Sequence, residues 1–430
     1  MTKLLKNNIM NNSIHDNNVL KEYTITHKKH HSAMTYLRRL KNNQCMYLSQ
    51  LRGYFLDEWN TLSKDSQYYL NIPQILFGTR DFHARIGKFE NPFASSVSPA
   101  YAPPPLVFSS ATMIDVADRR AIEIIKNAKD TGRNIGIMWS GGIDSTVVLV
   151  AILKNISEAD QELLTVYLST QSILDNPDFY FKFLSSNKKI KIESSTSLRI
   201  DNSFLDKNII LTGDPGDGVF GPSTAMYTNF VETKTHLEPW KNHYKILAQT
   251  FEPTIEKHMY QAPGIGEWFM KIMSQSLEES GLSDHISSVA DFYWWTYFNF
   301  KWAALCTYPL HNSILGRHHE GITRDNDKFF AENIFYHSTE WQIWTYSNLK
   351  KLIGLDVFKT HKLEAREYIC EFDKNTEYFT RKRKTSTPPP NMKLSKSSLI
   401  GHDQNWKPIY IDNKSDRQLV SMLLRKYSKQ

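Results

Sequence analysis

The sequence predicts an α/β fold: a parallel sheet of five strands with helices on both faces, extended by a helical C-terminal part and preceded by a small N-terminal region. Three observations carry this. Short apolar runs alternate with helical periodicity between residues 115 and 212, as in a chain of βαβ units. A glycine break, Ser140-Gly141-Gly142, separates the first run from a long apolar helix pattern. After Tyr227 the periodicity is almost entirely helical, with dense Trp and Tyr.

The elements follow in order. Residues 6–18 read KNNIMNNSIHDNN, with no apolar periodicity, and are expected to be a mobile tail. Ala33 to Tyr69 has helical spacing. Residues 91–105, NPFASSVSPAYAPPP, read as a linker or an extended wrap, so a boundary is placed near 110. Asp115 to Lys129 predicts an amphipathic helix, Asn134 to Trp139 (NIGIMW) a strand, and Ile143 to Ile156 a helix. Strands are expected over Glu162–Thr170, Ile190–Ser194 and Asn208–Thr212, with a helix over Asn176–Ser186. These runs name four of the five strands. The resulting division is 1–110, 111–390 and 391–430, the last a tail or hairpin carrying GHDQNWKPIYID.

Composition sets the outer bounds. In 430 residues, 40% are apolar and 13% aromatic, which excludes a wholly disordered chain. The longest clear apolar run, Thr146 to Leu153, is far short of the roughly 20 residues that span a bilayer. No secretory signal pattern opens the chain, and three distant cysteines, Cys45, Cys306 and Cys370, form no CxxC pair. A cytosolic protein is expected. The formal charge of +7, from 52 basic and 45 acidic residues, suits anionic small-molecule substrates and does not demand nucleic acid.

The segment that carries chemistry is Ser140-Gly141-Gly142-Ile143-Asp144-Ser145-Thr146. It joins a strand to a helix start, where free N–H groups and the helix dipole favour phosphate. The glycines let backbone approach a ligand, Ser140 and Ser145 add hydroxyls, and Asp144 suits Mg²⁺ bridging carboxylate and phosphate oxygens. The alternative is an ordinary βα turn with capping Asp and Ser. The motif SGGxDS after an apolar strand resembles the pyrophosphate loop of the N-type ATP pyrophosphatases, which cleave ATP between the α- and β-phosphates. The Walker pattern GxxxxGK[ST] is absent, so γ-phosphate transfer is not expected.

A second segment, Leu211 to Gly221 (LTGDPGDGVFG), resembles the asparagine synthetase signature SGEGADELFGG. Thr212 and Gly213 match its SG pair, Asp214 falls on the catalytic glutamate, Asp217 on the magnesium-binding aspartate, and Phe220-Gly221 on FG. Two acids in a turn after a parallel strand lie where open α/β sheets bind ligands. A third segment, Lys362 to Ser386, resembles the late helix of that family followed by its RxK motif; the family's pyrophosphate-contacting lysine falls on Lys384, with Lys382 the other candidate.

The resemblance covers about 111–390, the synthetase half. Thr2 follows Met1, and no cysteine precedes Cys45, so a glutaminase nucleophile is missing and glutamine-independent chemistry is expected. The resemblance implies an adenine nucleotide alpha hydrolase-like fold, with ATP and Mg²⁺ as cofactors. It implies AMP-forming amide ligation: an amino acid-like carboxylate is adenylated and passed to ammonia or an amine. Ser140, Gly141, Gly142, Asp144, Ser145 and Gly213 would bind ATP or pyrophosphate, Asp144 and Asp217 the metal, and Asp214 and Lys384 would be catalytic. No membrane is expected, nor nucleic acid as a main partner. Two alternatives remain open: an enzyme of the same loop class that modifies a nucleobase or tRNA, and a catalytically degenerate ATP-binding protein. Asp214 is one methylene shorter than glutamate and precedes Pro215, and a misplacement of about 1 Å costs roughly a hundredfold in rate. Gly218 replaces a further acid of the signature.

Elsewhere the sequence offers less. His27-Lys28-Lys29-His30-His31 reads as a solvated helix start and Arg317-His318-His319-Glu320 as a surface loop, while Trp294, Trp295 and Trp302 read as core. Arg381 to Lys384 is a basic run without aromatic interleaving.

Overall fold

A computed structural model describes residues 60–76, 85–86, 102–195, 198, 200–221, 227–252, 263–306, 326–353, 360–381, 397–402 and 408–412. These fall into two compact units. One gathers the described residues of 1–103 and 229–308, the other those of 104–228 and 322–430.

The second unit holds the sheet. Its strands are β1 (Asn134–Met138), β2 (Leu164–Leu168), β3 (Lys191–Ser194) and β4 (Asn208–Leu211). They pair in parallel in the order β3-β2-β1-β4. The expected α/β class with a parallel sheet is present, but the sheet has four strands among the described residues rather than five. The four runs named from the sequence account for all of it. Every residue of β2 is buried, as befits a strand flanked on both sides and covered on both faces.

The chain runs outward from β1 to β2 to β3 and then returns to the far side of β1 as β4. Ile135 lies beside Leu164 on one side and Ile209 on the other. The strand order therefore reverses between β1 and β4. In open α/β sheets that reversal leaves a crevice at the carboxyl ends of the two strands, because their connections leave to opposite sides.

Helix α1 (Met113–Thr131) begins at a capping box between Thr112 and Asp115 and ends at Gly132 in the left-handed region. Helix α2 (Ile143–Asn155) follows β1 and buries every residue from Ser145 to Ile152, so it is a core helix rather than an amphipathic one. It packs against α1 and against a later helix, α4 (Leu363–Asp373); α3 (Thr339–Leu352) packs on α1. The late helix expected at the start of the Lys362 to Ser386 segment is broken. Lys374 takes a left-handed conformation (φ 60°), and α5 (Thr376–Arg381) starts afresh. The crossover between β2 and β3 is likewise divided into Thr170–Asp175, Pro177–Phe179 and a wide-turned stretch Tyr180–Leu184. Asn176 and Pro177 make that break, since a proline cannot supply an interior helical N–H. Strands β5 (Ser397–His402) and β6 (Pro408–Asp412) pair antiparallel in the stretch read as a tail or hairpin.

The first unit is helical where described. Val289–Thr296 runs through a wide-turned Tyr297–Lys301 into Trp302–Cys306. Trp294, Trp295, Phe298 and Trp302 are fully buried. Phe298 stacks on Trp294 with ring centroids 4.7 Å apart, and the Trp295 indole N–H donates to Ser276 Oγ at 3.2 Å. The tryptophans are core, as their spacing suggests. No helix among the described residues is long and apolar enough to cross a membrane.

Candidate functional site

Both loops singled out in the sequence lie at the reversal of strand order. The first, Ser140–Ser145, leaves β1; the second, Thr212–Asp217, leaves β4. Their closeness is built into the glycines. A Cβ on Gly213 would lie 2.6 Å from the Ser145 nitrogen, and one on Gly216 would lie 2.6 Å from Asp144 Cγ. Gly141 has a φ of +75°, and a Cβ there would collide with the Ser172 carbonyl. Only glycine satisfies both constraints at that position.

The first loop is knitted to itself. Ser145 Oγ accepts from the Ser140 N–H at 3.1 Å and lies 3.0 Å from Ser140 Oγ. The Gly142 N–H donates to Ser140 Oγ at 3.3 Å. Beneath it, Thr146 Oγ1 donates to the Gly142 carbonyl at 2.7 Å and accepts from the Trp139 indole at 3.0 Å. Helix α2 starts at Gly142 with no side-chain cap, whereas α1 and α3 start on capping Thr112 and Ser338. An uncapped helix start of 13 residues keeps its N-terminal dipole and N–H groups directed at the loop.

The carboxylates meet above this loop. Lys362 Nζ lies 2.6 Å from Asp144 Oδ1, 2.6 Å from Asp144 Oδ2 and 2.7 Å from Asp217 Oδ1. The lysine side chain is 5% exposed, that of Asp144 15% and that of Asp217 29%. Burial by itself would lower the ammonium's pKa. The charge of Asp144, then that of Asp217, with their hydrogen bonds, outweigh it and raise the pKa above the ordinary lysine value. The neighbouring His361 goes the other way: burial first, then the Lys362 charge, push it down to about 3, so it is neutral at physiological pH.

Two further groups fix the first loop. Tyr336, fully buried, donates its hydroxyl to the Asp144 carbonyl at 2.7 Å. Burial raises the tyrosine pKa, with the charge of Asp144 adding to it. Tyr378 on α5 has its hydroxyl 3.5 Å from the Gly141 carbonyl. Asp214 is half-buried; its N–H donates to Thr212 Oγ1 at 3.2 Å, and its peptide bond to Pro215 is cis.

Thus Ser140, Gly141, Gly142, Asp144, Ser145, Gly213, Asp214 and Asp217 come together on two adjoining loops. Lys384 and Lys382 lie outside the described residues, as do His27–His31 and Arg317–Glu320. The residue that sequence reading passed over is Lys362. It opens α4 with a left-handed backbone (φ 52°), a cation at the positive end of a helix dipole, and nearly buried. Each of these is unfavourable alone, and the two aspartates compensate. A lysine just ahead of the Leu363 periodicity was the available signal.

The donor set also fits a magnesium ion. Two hard carboxylates already converge on one cationic atom, and among the described residues no group of three or more His, Cys, Asp and Glu side chains gathers for a metal. Mg²⁺ in nucleotide sites is bound through one or two carboxylates plus substrate phosphates, not by an all-protein cage. No family model, no curated protein and no solved structure matches this chain.

Proposed function

We propose that the protein is an ATP-dependent, AMP-forming ligase that adenylates a carboxylate and transfers it to ammonia or an amine. The observation that carries the reading is the convergence of Asp144 and Asp217, from two separate loops at the reversal of strand order, on the single cation of Lys362. A site that only capped a helix would not need a second acid from β4 or a buried lysine from a third element.

In this reading the backbone N–H groups at Gly141, Gly142 and the start of α2 hold the β- and γ-phosphates. Ser140 and Ser145 exchange part of their mutual hydrogen bonding for phosphate oxygens. The substrate carboxylate attacks the α-phosphorus, and pyrophosphate leaves. Mg²⁺, held by Asp144 and Asp217, would supply electrostatic stabilisation of the departing charge. Lys362 releases one or both aspartates and turns its ammonium to the pyrophosphate, which is within reach of the same two loops. Asp214 accepts the proton of the attacking amine. Tyr336 keeps the Asp144 backbone from shifting as the charges rearrange.

Phosphorus NMR of ATP-Mg²⁺ with the protein, ammonia and divided pools of carboxylic acids tests this. The expected result is AMP plus pyrophosphate, abolished by Asp144→Ala. ADP plus phosphate contradicts the reading. ATP bound but intact with every pool would favour the degenerate, binding-only alternative, which the shortened Asp214 and the Lys362-filled cation position keep in view.

A further inference from the structure

The parallel sheet ends in two edge strands, β3 and β4, and the two edges differ. On β4 the Ile210 N–H points away from β1 and donates to Asn333 Oδ1 at 2.8 Å, so a side chain from the helix Asn326–Asn333 closes that edge. On β3 the register decides which groups face outward. The Ser195 N–H donates to the Leu168 carbonyl at 2.9 Å, beside the Leu168–Ser194 pair. In a parallel ladder, alternate residues turn both backbone groups to the same neighbour. Lys191, Glu193 and Ser195 therefore turn theirs to β2, and the Ile192 N–H and C=O point away from the sheet. No strand pairs there among the described residues.

An open edge accepts a further strand unless a proline, a bulge or an uncompensated lysine prevents it. The strand β3 reads KIES: it has no proline, and its one lysine, Lys191, forms an ion pair with Glu193. The Lys191 side chain is 67% exposed and that of Glu193 37%, so both reach solvent. The two charges stand one residue either side of Ile192 and are opposite in sign. Place a second β3 antiparallel across a two-fold axis at Ile192. The two Ile192 residues then exchange both backbone hydrogen bonds, and Lys191 of each copy faces Glu193 of the other. These flanking pairs are of the non-hydrogen-bonded kind, in which side chains approach most closely. The four charges alternate in sign.

Other registers lose this match. A slip of one residue sets the outward groups of Ile192 against a residue whose groups face β2. A slip of two sets Lys191 against its own copy, or Glu193 against its own, and like charges directly opposite are destabilising. Lys189, just before the strand, is paired with Glu158 at 2.8 Å. Its copy would stand about 20 Å away, beyond a Debye length of about 8 Å at physiological salt. The edge thus selects a single antiparallel register with itself.

We propose that the β3 edge is an interaction surface for a second copy of this chain, joining the two parallel sheets into one through an antiparallel β3–β3 contact centred on Ile192. The nucleotide loops leave β1 and β4, so the contact is independent of the nucleotide reading. A contact this short is small, and the dimer is accordingly weak and reversible. Sedimentation velocity of the full chain, from low micromolar to near-millimolar concentration, tests it, with hydrogen exchange at the Ile192 N–H as the local readout. The expected result is a concentration-dependent dimer in which Ile192 exchange slows. Ile192→Pro removes an outward N–H that β2 does not use, which an edge strand tolerates, and is expected to abolish the dimer. Lys191→Glu and Glu193→Lys are each expected to weaken it about tenfold, because the two-fold axis counts each change twice. The double variant Lys191→Glu/Glu193→Lys restores the alternation and is expected to restore the dimer. Should Ile192→Pro fail to fold, the charge variants, at solvent-accessible positions, carry the test. A chain that stays monomeric throughout, its edge left for a strand of another protein, overturns the proposal. So does a dimer that leaves Ile192 exchange unchanged, or one that the single and double charge variants form equally.

Discussion

Lys362 shows how one residue can look wrong by every local criterion and still be fixed in place. A left-handed non-glycine backbone, a buried ammonium and a cation at a helix start would each be selected against in isolation. Asp144 and Asp217 reverse the balance, and in doing so tie α4 to both loops. Removing the lysine leaves two adjacent carboxylates without their cation. Lys362→Ala is expected to lower stability by about 3 kcal/mol, near the lower end for a broken buried pair because Asp217 keeps part of its exposure. The same substitution in an Asp217→Asn background is expected to cost clearly less, since the two effects share one interaction. Denaturant unfolding of the four proteins checks this; an equal cost in both backgrounds would mean that the lysine acts through packing alone. The acids were legible in the sequence because glycines flank them in two recognisable loops. Lys362 was not, because it reaches them from more than 140 residues away, and only the fold supplies that proximity.

Elements divide by how local their causes are. The strands β1, β2 and β4 could be read from short apolar runs, since strands buried on both faces need little else, whereas β3 (KIES), at the sheet's edge, has only exposed and half-exposed residues. Helices α1 and α2 were equally plain, one from its amphipathic spacing and the other from its unbroken apolar text. Reading failed where one periodic stretch is cut. Lys374 ends α4 before α5, and the short helix Thr170–Asp175 ahead of the helix expected from Asn176 was missed, its first residue having been read as strand. The cut at Lys374 has a structural reason: it lets α5 bring Tyr378 against the Gly141 carbonyl while α4 keeps Lys362 over the aspartates. At this scale the sharpest test is the gap between the loops. A methyl group at Gly216 must displace Asp144, because the nearest atoms are side-chain and leave no free volume. Gly216→Ala is expected to cost about 1–3 kcal/mol, the range for overpacking, and to weaken nucleotide binding. Thermal unfolding with a parallel nucleotide titration reads both; unchanged nucleotide binding would show that the loops need not touch for the site to work.

For the molecule as a whole, the strand order β3-β2-β1-β4 is the feature from which the rest follows. It places the ends of β1 and β4 side by side, and the two glycine loops are the continuations of those strands. The α/β class and the parallel sheet were visible from the sequence; the number of strands and the division into two units were not, since both depend on contacts between distant segments. The central claim is that the two loops and Lys362 form one pyrophosphate site assisted by Mg²⁺. Calorimetric titration of pyrophosphate in the presence and absence of Mg²⁺ tests it without knowledge of the acid or amine substrate. Mg²⁺-dependent binding to the wild type is expected, weakened at least tenfold in Asp144→Asn, in Asp217→Asn and in Lys362→Ala. Binding that is independent of Mg²⁺ and indifferent to all three substitutions would contradict it.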